Sequence, residues 1–249
     1  CPEKIVFTKV QENGEEILYS NKFVYKSASS LAKQLMEMNL NAPILLLYHS
    51  SIDFIVSFLA CQAAGLIAVP MFYPRSKRHF ERLKLVLNDC NPALVLCEQE
   101  KSKFIKDGLE KLNYSSKNVY VTSLDAEVPE VDLQPKTNEI SFIQYTSGST
   151  GTPKGVIVSQ KNLFTNQVLI QKTFSCDNDS VILSWLPFYH DMGLIGNILH
   201  AIIVDCQCIL MPPTMVIQSP LSWLKLISTH NVTHSGGPNF IYDHCVSYI

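Results

Sequence analysis

Seven short runs of this chain are apolar on nearly every residue, and most are followed by a segment with helical spacing. The runs are "APILLLYHS" (42–50), "LIAVPMF" (66–72), "PALVLC" (92–97), "NVYVTS" (118–123), "ISFIQY" (140–145), "VILSWLP" (181–187) and "QCILMP" (207–212). A strand that is apolar on both faces needs cover on both faces, which a sheet obtains when crossover helices join parallel strands. The intervening segments fit that need. "SIDFIVSFLACQAAG" (51–65) reads as a helix with Ser51 as N-cap and Gly65 as its stop, and "RHFERLKLVLNDC" (78–90) and "KFIKDGLEKL" (103–112) are amphipathic. "KNLFTNQVLIQK" (161–172), "MGLIGNILHAIIV" (192–204), "PLSWLKLISTH" (220–230) and "PNFIYDHCVSYI" (238–249) continue the series. The expected fold class is α/β, with a largely parallel sheet or sheets and helices on both faces. One stretch breaks the rhythm: residues 125–139, acidic, proline-containing and aperiodic, read as a surface linker.

Composition narrows the function classes. The chain has 249 residues, 47% hydrophobic and 17% charged, with net charge -2, which gives no footing for nucleic-acid binding. No apolar run is long enough to span a bilayer. There is no basic segment followed by an apolar one at the start, so a cytoplasmic protein is expected. The chain begins at Cys1 and ends within a helical pattern, which we read as an excised piece of a longer protein. Eight cysteines without a CxxC pair, five of them in or beside apolar stretches, read as buried, reduced thiols. A metal site formed by Cys206, Cys208 and His200 is the alternative, at a spacing that matches no common zinc pattern.

Seven of the ten glycines fall in three places: 148, 151 and 155; 193 and 196; 236 and 237. Each place follows an apolar run or a short strand-like one, and ligands bind open parallel sheets at the carboxyl ends of strands. The three are expected to converge on one crevice. The first lies in "QYTSGSTGTPKGV" (144–156), where five of the seven residues from Thr146 to Thr152 carry hydroxyls and the other two are glycines. Such a loop turns several N–H and O–H donors on one anion, and Lys154 adds a compact cation, so the chemistry implied is polyphosphate binding. A plain hairpin, with "VIVS" pairing back on "ISFIQY", is the bland alternative. A Walker A loop fails twice, because Pro153 and Gly155 stand where Gly and Ser or Thr are required.

"YTSGSTGTPKGV" resembles, residue for residue, the phosphate-binding signature of the adenylate-forming enzymes, the superfamily of acyl-CoA synthetases and peptide-synthetase adenylation domains. "SWLPFYHDMGLIG" (184–196) is similar to its second core motif. "HSGGPNFIYDHC" (234–245) narrows the resemblance to the fatty acyl-AMP ligases, over about Ser20 to Ile249. Arg75, Gln160 and Asp205 depart from the family's usual residues, away from the phosphate loop. The resemblance implies that residues 1–249 are the N-terminal part of a large adenylation domain, whose remaining portion and small C-terminal domain lie elsewhere. It implies ATP-dependent activation of a fatty acid to an acyl-adenylate with release of pyrophosphate. ATP and Mg2+ are the implied cofactors, and an acyl carrier protein or a polyketide or peptide synthase module the acceptor.

By the same resemblance, Thr146, Ser147, Gly148, Ser149, Thr150, Gly151 and Lys154 contact ATP phosphates, with Lys154 catalytic. His190, Asp191, Met192, Gly236, Gly237, Pro238, Asn239, Phe240 and Tyr242 fall to the substrate, with Met192, Phe240, Ile241 and Tyr242 on an apolar tunnel. The modest alternatives are that Asp191 caps a helix while His190 packs, and that the apolar residues are core. A long-chain acyl-CoA ligase, or a non-catalytic acyl- or nucleotide-binding module, are the competing functions. The 249 residues alone are expected not to turn over.

Overall fold

The computed structural model of the protein describes residues 1–49, 51–122, 124, 132–146 and 152–248. The strands are β1 (Ile5–Val10), β2 (Glu16–Ser20), β3 (Ile44–Tyr48), β4 (Ala68–Phe72), β5 (Leu94–Glu98), β6 (Val119–Thr122), β7 (Ile140–Thr146), β8 (Lys154–Ser159), β9 (Val181–Ser184), β10 (Gln207–Leu210) and β11 (His234–Ser235). The helices are α1 (Asn21–Glu37), α2 (Ile52–Ala63), α3 (Lys77–Cys90), α4 (Ser102–Glu110), α5 (Gln160–Phe174), α6 (His200–Ile203), α7 (Pro213–Gln218), α8 (Pro220–Thr229) and α9 (Asn239–Val246). A π-helix, Met192–Leu199, runs directly into α6. Every strand read from the apolar runs is present, and the first forty residues add β1, β2 and α1. The chain divides into two compact units, Phe23–Leu163 and the pair Cys1–Lys22 with Phe164–Ile249.

In the unit Phe23–Leu163 the strand order is β6-β5-β3-β4-β7-β8, parallel except for the last pair. All five residues of β3, "ILLLY", are buried, and the pleat explains why both faces need to be apolar. Leu45, Leu47, Val69, Met71, Val95 and Cys97 pack against Leu83, Val86 and Leu87 of α3 and Ile105 and Leu109 of α4. On the other face, the Tyr48 hydroxyl reaches Ser57 of α2 at 2.8 Å, and Phe58 of α2 meets Phe142 of β7 with ring centroids 5.6 Å apart. α2 ends as read. Gly65 takes φ +68, its N–H bonds the Gln62 carbonyl and that of Leu66 the Cys61 carbonyl, a Schellman close. Ser51 stands in extended backbone at the N-cap position but makes no side-chain cap bond, so it marks the start without tying it.

Residues 125–131 of the expected linker lie outside the described residues. From 132 to 139 the chain runs over the surface yet is tied to the end of α2. Lys136 N–H donates to the Ala63 carbonyl at 2.9 Å, and the Asn138 amide donates to the Gly65 carbonyl at 3.2 Å. A Cβ on Gly65 would stand 2.9 Å from the Lys136 Cβ, a second reason for glycine there. Both sides of this stretch belong to the same compact unit.

In the other unit the order is β11-β9-β10-β1-β2, parallel except for β1 with β2. β1 pairs in register with β10, Phe7 opposite Cys208, so the chain's opening strand is completed by residues about four-fifths of its length away. Leu183, Trp185, Ile209 and Met211 form its core with Val216, Trp223 and Ile241 from the helices after β10 and β11.

Candidate functional site

Of the three glycine-bearing stretches, the first lies where the two strands of a hairpin are joined. β7 and β8 pair antiparallel with Tyr145 opposite Gly155 and Thr146 opposite Lys154. The pairing named as the bland alternative is therefore real, and residues 147–153 lie between its two strands. Ser147, Gly148, Ser149, Thr150 and Gly151 lie outside the described residues. The last residue of β7, Thr146, and the first of β8, Lys154, are directly cross-strand and both exposed. Opposed residues of this kind hold their Cβ atoms roughly 5 Å apart, so a hydroxyl and a cation share the mouth of the loop. Gly155 keeps that mouth tight, because a Cβ there would lie 2.8 Å from Ile143 and 3.2 Å from the Tyr145 ring. Tyr145 is anchored in turn: its hydroxyl donates to the Asp89 carboxylate, and burial, followed by that carboxylate, pushes the phenol pKa up.

The second stretch follows β9. Trp185 and Leu186 stay buried, and the chain turns at Pro187, whose carbonyl accepts from His190 N–H at 3.1 Å. Asp191 Oδ1 accepts from Met192 N–H at 2.8 Å and so caps the π-helix. His190 does not pack. It is exposed, with its ring 4.7 Å from Tyr189, and Met192 beside it is 52% exposed. Gly193 is pressed onto the turn so closely that a Cβ would stand 2.3 Å from the Pro187 carbonyl oxygen.

The third stretch is brought to the second by the sheet. β11 pairs parallel with β9, Ser235 opposite Leu183, so Gly237 and Trp185 leave the same end of the sheet side by side. A Cβ on Gly237 would fall 2.3 Å from the Trp185 ring. Ser235 Oγ donates to the Leu183 carbonyl at 2.8 Å and accepts from Trp223 Nε1 at 2.9 Å. Pro238 then stands at the N-cap of α9. Ile241 is fully buried against Trp185 and Trp223 and is core, which corrects its expected place on a tunnel. Asn239, Phe240 and Tyr242 are exposed. Two residues apart on a helix, Phe240 and Tyr242 point about 200° apart, so they do not line one wall together. Tyr242 sits edge-on to Trp223 at 5.7 Å, whereas Phe240 joins Ile217, Asp243, His244 and Ser247 around an open groove of about 450 Å³. The expected convergence thus holds for the second and third stretches; the first belongs to the other compact unit.

Gln167, which the sequence reading passed over, meets His200, which it named only as a possible metal ligand. Gln167 is the buried residue of α5, a helix whose Phe164, Leu169 and Phe174 are exposed. Its Oε1 is 2.6 Å from His200 Nδ1, and its Nε2 donates to the Ile195 carbonyl at 2.8 Å. No local pattern singles out that glutamine. His200 is engaged there and not with thiols, while burial pushes Cys206 up to about 12 and Cys208 well up. Among the described residues no group of three His, Cys, Asp or Glu side chains could hold a metal ion, and no helix is long and apolar enough to cross a membrane.

The family model described as "AMP-binding enzyme" matches residues 2–248. A medium-chain-fatty-acid–[acyl-carrier-protein] ligase, TtuA of Teredinibacter turnerae, is 36% identical over 248 residues, covering 83% of this chain and 39% of its own length. A fatty acid AMP ligase from Legionella pneumophila superposes with a TM-score of 0.89 at 34% identity, covering 100% of this chain and 44% of that one. A fatty acyl-adenylate ligase from the same organism, in complex with acyl adenylate and pyrophosphate, gives a TM-score of 0.87 at 34% identity and the same coverage. The chain thus spans about two-fifths of the length of the curated relatives it matches.

Proposed function

This chain belongs to the AMP-binding enzyme family, and from that premise we propose that the protein carrying it activates a fatty acid with ATP. The product is an acyl-adenylate, pyrophosphate leaves, and the acyl group passes to the thiol of an acyl carrier protein or a polyketide or peptide synthase module. The observation that carries this reading is the Thr146–Lys154 pair where β7 and β8 bracket residues 147–153. A triphosphate needs donors from several directions and one cation, and the hairpin presents both at one place. The relatives' names add the fatty acid and the carrier protein.

The chemistry asks little of side chains as bases. A fatty acid carboxylate, with a pKa of about 4–5, is already ionised at neutral pH. The protein has to hold two anions in line and neutralise charge on the departing pyrophosphate. Lys154 and the loop residues Thr146 to Gly151 serve the phosphates. The exposed residues of the second and third stretches, from His190 to Met192 and from Gly236 to Tyr242, serve the carboxylate and the acyl chain. Gly237 acts by letting Trp185 close beneath them. ATP supplies the adenylyl group. Mg2+ enters as its counter-ion, for the phosphate motif contains no carboxylate to hold a metal itself. The eight unpaired thiols support a reducing, cytoplasmic setting.

ATP–pyrophosphate exchange by the whole protein, with a panel of fatty acids, tests the reading. Exchange should require a medium or long fatty acid, with the acyl group delivered to a carrier protein and poorly to CoA. Removing the Lys154 cation with Lys154→Ala forfeits a charge-assisted contact of about 1.5–3 kcal/mol, so kcat/KM for ATP should fall roughly ten- to a hundredfold. An unchanged value removes Lys154 from the site. Efficient acyl-CoA formation would make the protein a CoA ligase instead.

A further inference from the structure

The helix that opens at Asp191 is wound wide. From Met192 to Leu199 it is a π-helix, a rare winding that is frequent at functional sites and forfeits regular i→i−4 bonds, so it needs support from outside the helix. Here the outside hold is visible. The His200 N–H goes three residues back to the Asn197 carbonyl, and the Ile195 carbonyl is taken by the Gln167 side chain at 2.8 Å. Asn197 is itself fixed, its amide donating to Ser184 Oγ at 2.9 Å, and Gly193 is pressed against Pro187. The wide turn is therefore gripped at its start, middle and end.

The protons of this grip can be assigned. The Ile195 carbonyl only accepts, so the Gln167 amide nitrogen faces it and the amide oxygen faces His200. That oxygen only accepts too, so His200 carries its proton on Nδ1. Burial, with His234 second, lowers the His200 pKa and keeps the ring neutral. Its Nε2 is then a buried lone pair with no hydrogen-bond partner among the described residues. Gln167 and His200 are each 1% exposed, whereas Phe164, Leu169 and Phe174 of α5 face outward. Burying two polar side chains while one stays incompletely satisfied costs stability, and a purely structural contact would be better served by leucine.

We infer that Gln167 and His200 are positioning residues that hold the π-helix open and thereby set where Met192 stands, and so which acyl chains the site accepts. This rests on the proposed function, which puts the acyl chain beside Met192. Relaxing one wide turn to α geometry removes one residue from it and turns the helix start by about 100°. Met192, 52% exposed at that start, would swing to a different bearing, while the hairpin with Lys154 carries no part of this grip.

The test uses the whole protein and two variants. Gln167→Leu removes both bonds at similar size; Gln167→Glu keeps the acceptor for His200 and removes the donor for Ile195. Both should shift the ratio of kcat/KM between eight- and sixteen-carbon acids by about tenfold, the scale on which an apolar pocket discriminates length. KM for ATP should stay within about twofold, since phosphate contacts are untouched. Gln167→Met stands in if the leucine variant does not fold. A folded variant with an unmoved chain-length profile, or with an equal loss for every acid, overturns the inference. Absence of fatty-acid-dependent exchange in the unaltered protein defeats the functional reading instead, so the two failures are told apart.

Discussion

Each compact unit buries a small polar network against its sheet, and the two are built differently. In the unit Phe23–Leu163, Tyr48, Ser57 and Thr122 are 2%, 0% and 4% exposed, and their hydroxyls form a chain with every proton placed. Thr122 donates to the Cys97 carbonyl at 3.3 Å, Tyr48 donates to Thr122 at 2.9 Å, and Ser57 donates to Tyr48 at 2.8 Å. Only one direction of donation satisfies all three, because the carbonyl at the end only accepts. Burial holds the Tyr48 phenol well above its usual range, so the chain stays neutral at any ordinary pH. In the other unit, Gln167 and His200 leave a ring nitrogen without a partner among the described residues. A closed network makes a fold specific. An open one, kept where apolar packing would be cheaper, points to a geometry that matters beyond the fold.

The contrast can be broken from the closed side first. Thr122→Val keeps the shape but strands the Tyr48 proton in a buried place, and should destabilise by about 1–3 kcal/mol in urea unfolding. An effect below a few tenths would mean that the network is not closed as described. Tyr48→Phe should cost less, about 1 kcal/mol, because Thr122 keeps its carbonyl and Ser57 can turn back to the carbonyl four residues earlier in α2. The smallest effect belongs to the open side and concerns pH. His200 is pushed below its ordinary value of about 6.5 in the folded state, so unfolding takes up a proton in that range. Its contribution is complete above about pH 6.5 and is lost as pH falls from there through the folded value. His200→Leu should flatten the pH dependence of stability below 6.5, while Tyr48→Phe leaves it unchanged. Parallel curves for wild type and His200→Leu would show that the ring is not held neutral.

The same contrast explains what could be read from the sequence. The closed unit is dominated by β3, β4 and β5, whose residues are apolar on both faces, and local pattern is enough to find such strands. The helix stop at Gly65 was legible because one backbone angle requires it. β1 was not read, since nothing within "IVFTKV" says that its neighbour is β10, and the pairing of Phe7 with Cys208 exists only in the fold. Of the candidate site, the loop and the three glycine places were legible from residue type. Gly193 and Gly237 proved to be glycines of close approach, to Pro187 and Trp185. The π-helix was read as a helix, without its width. Gln167 was invisible for a physical reason: a pattern argument expects Phe164 and Leu169 to be the buried residues of α5, and the structure buries the glutamine between them.

The cysteines allow both units to be timed separately. All eight are free, and six of them are buried. Burial pushes Cys61 and Cys206 up to about 12 and Cys97 up to about 11, so almost none of each is thiolate at neutral pH and attack on a reagent is slow while the fold is closed. Modification of these positions therefore has to wait for the surrounding structure to open. Cys61 and Cys97 lie in the unit Phe23–Leu163, Cys206 and Cys208 in the other. Labelling rates at the two pairs, followed by mass spectrometry, become two clocks in one molecule, each counting the openings of its own sheet.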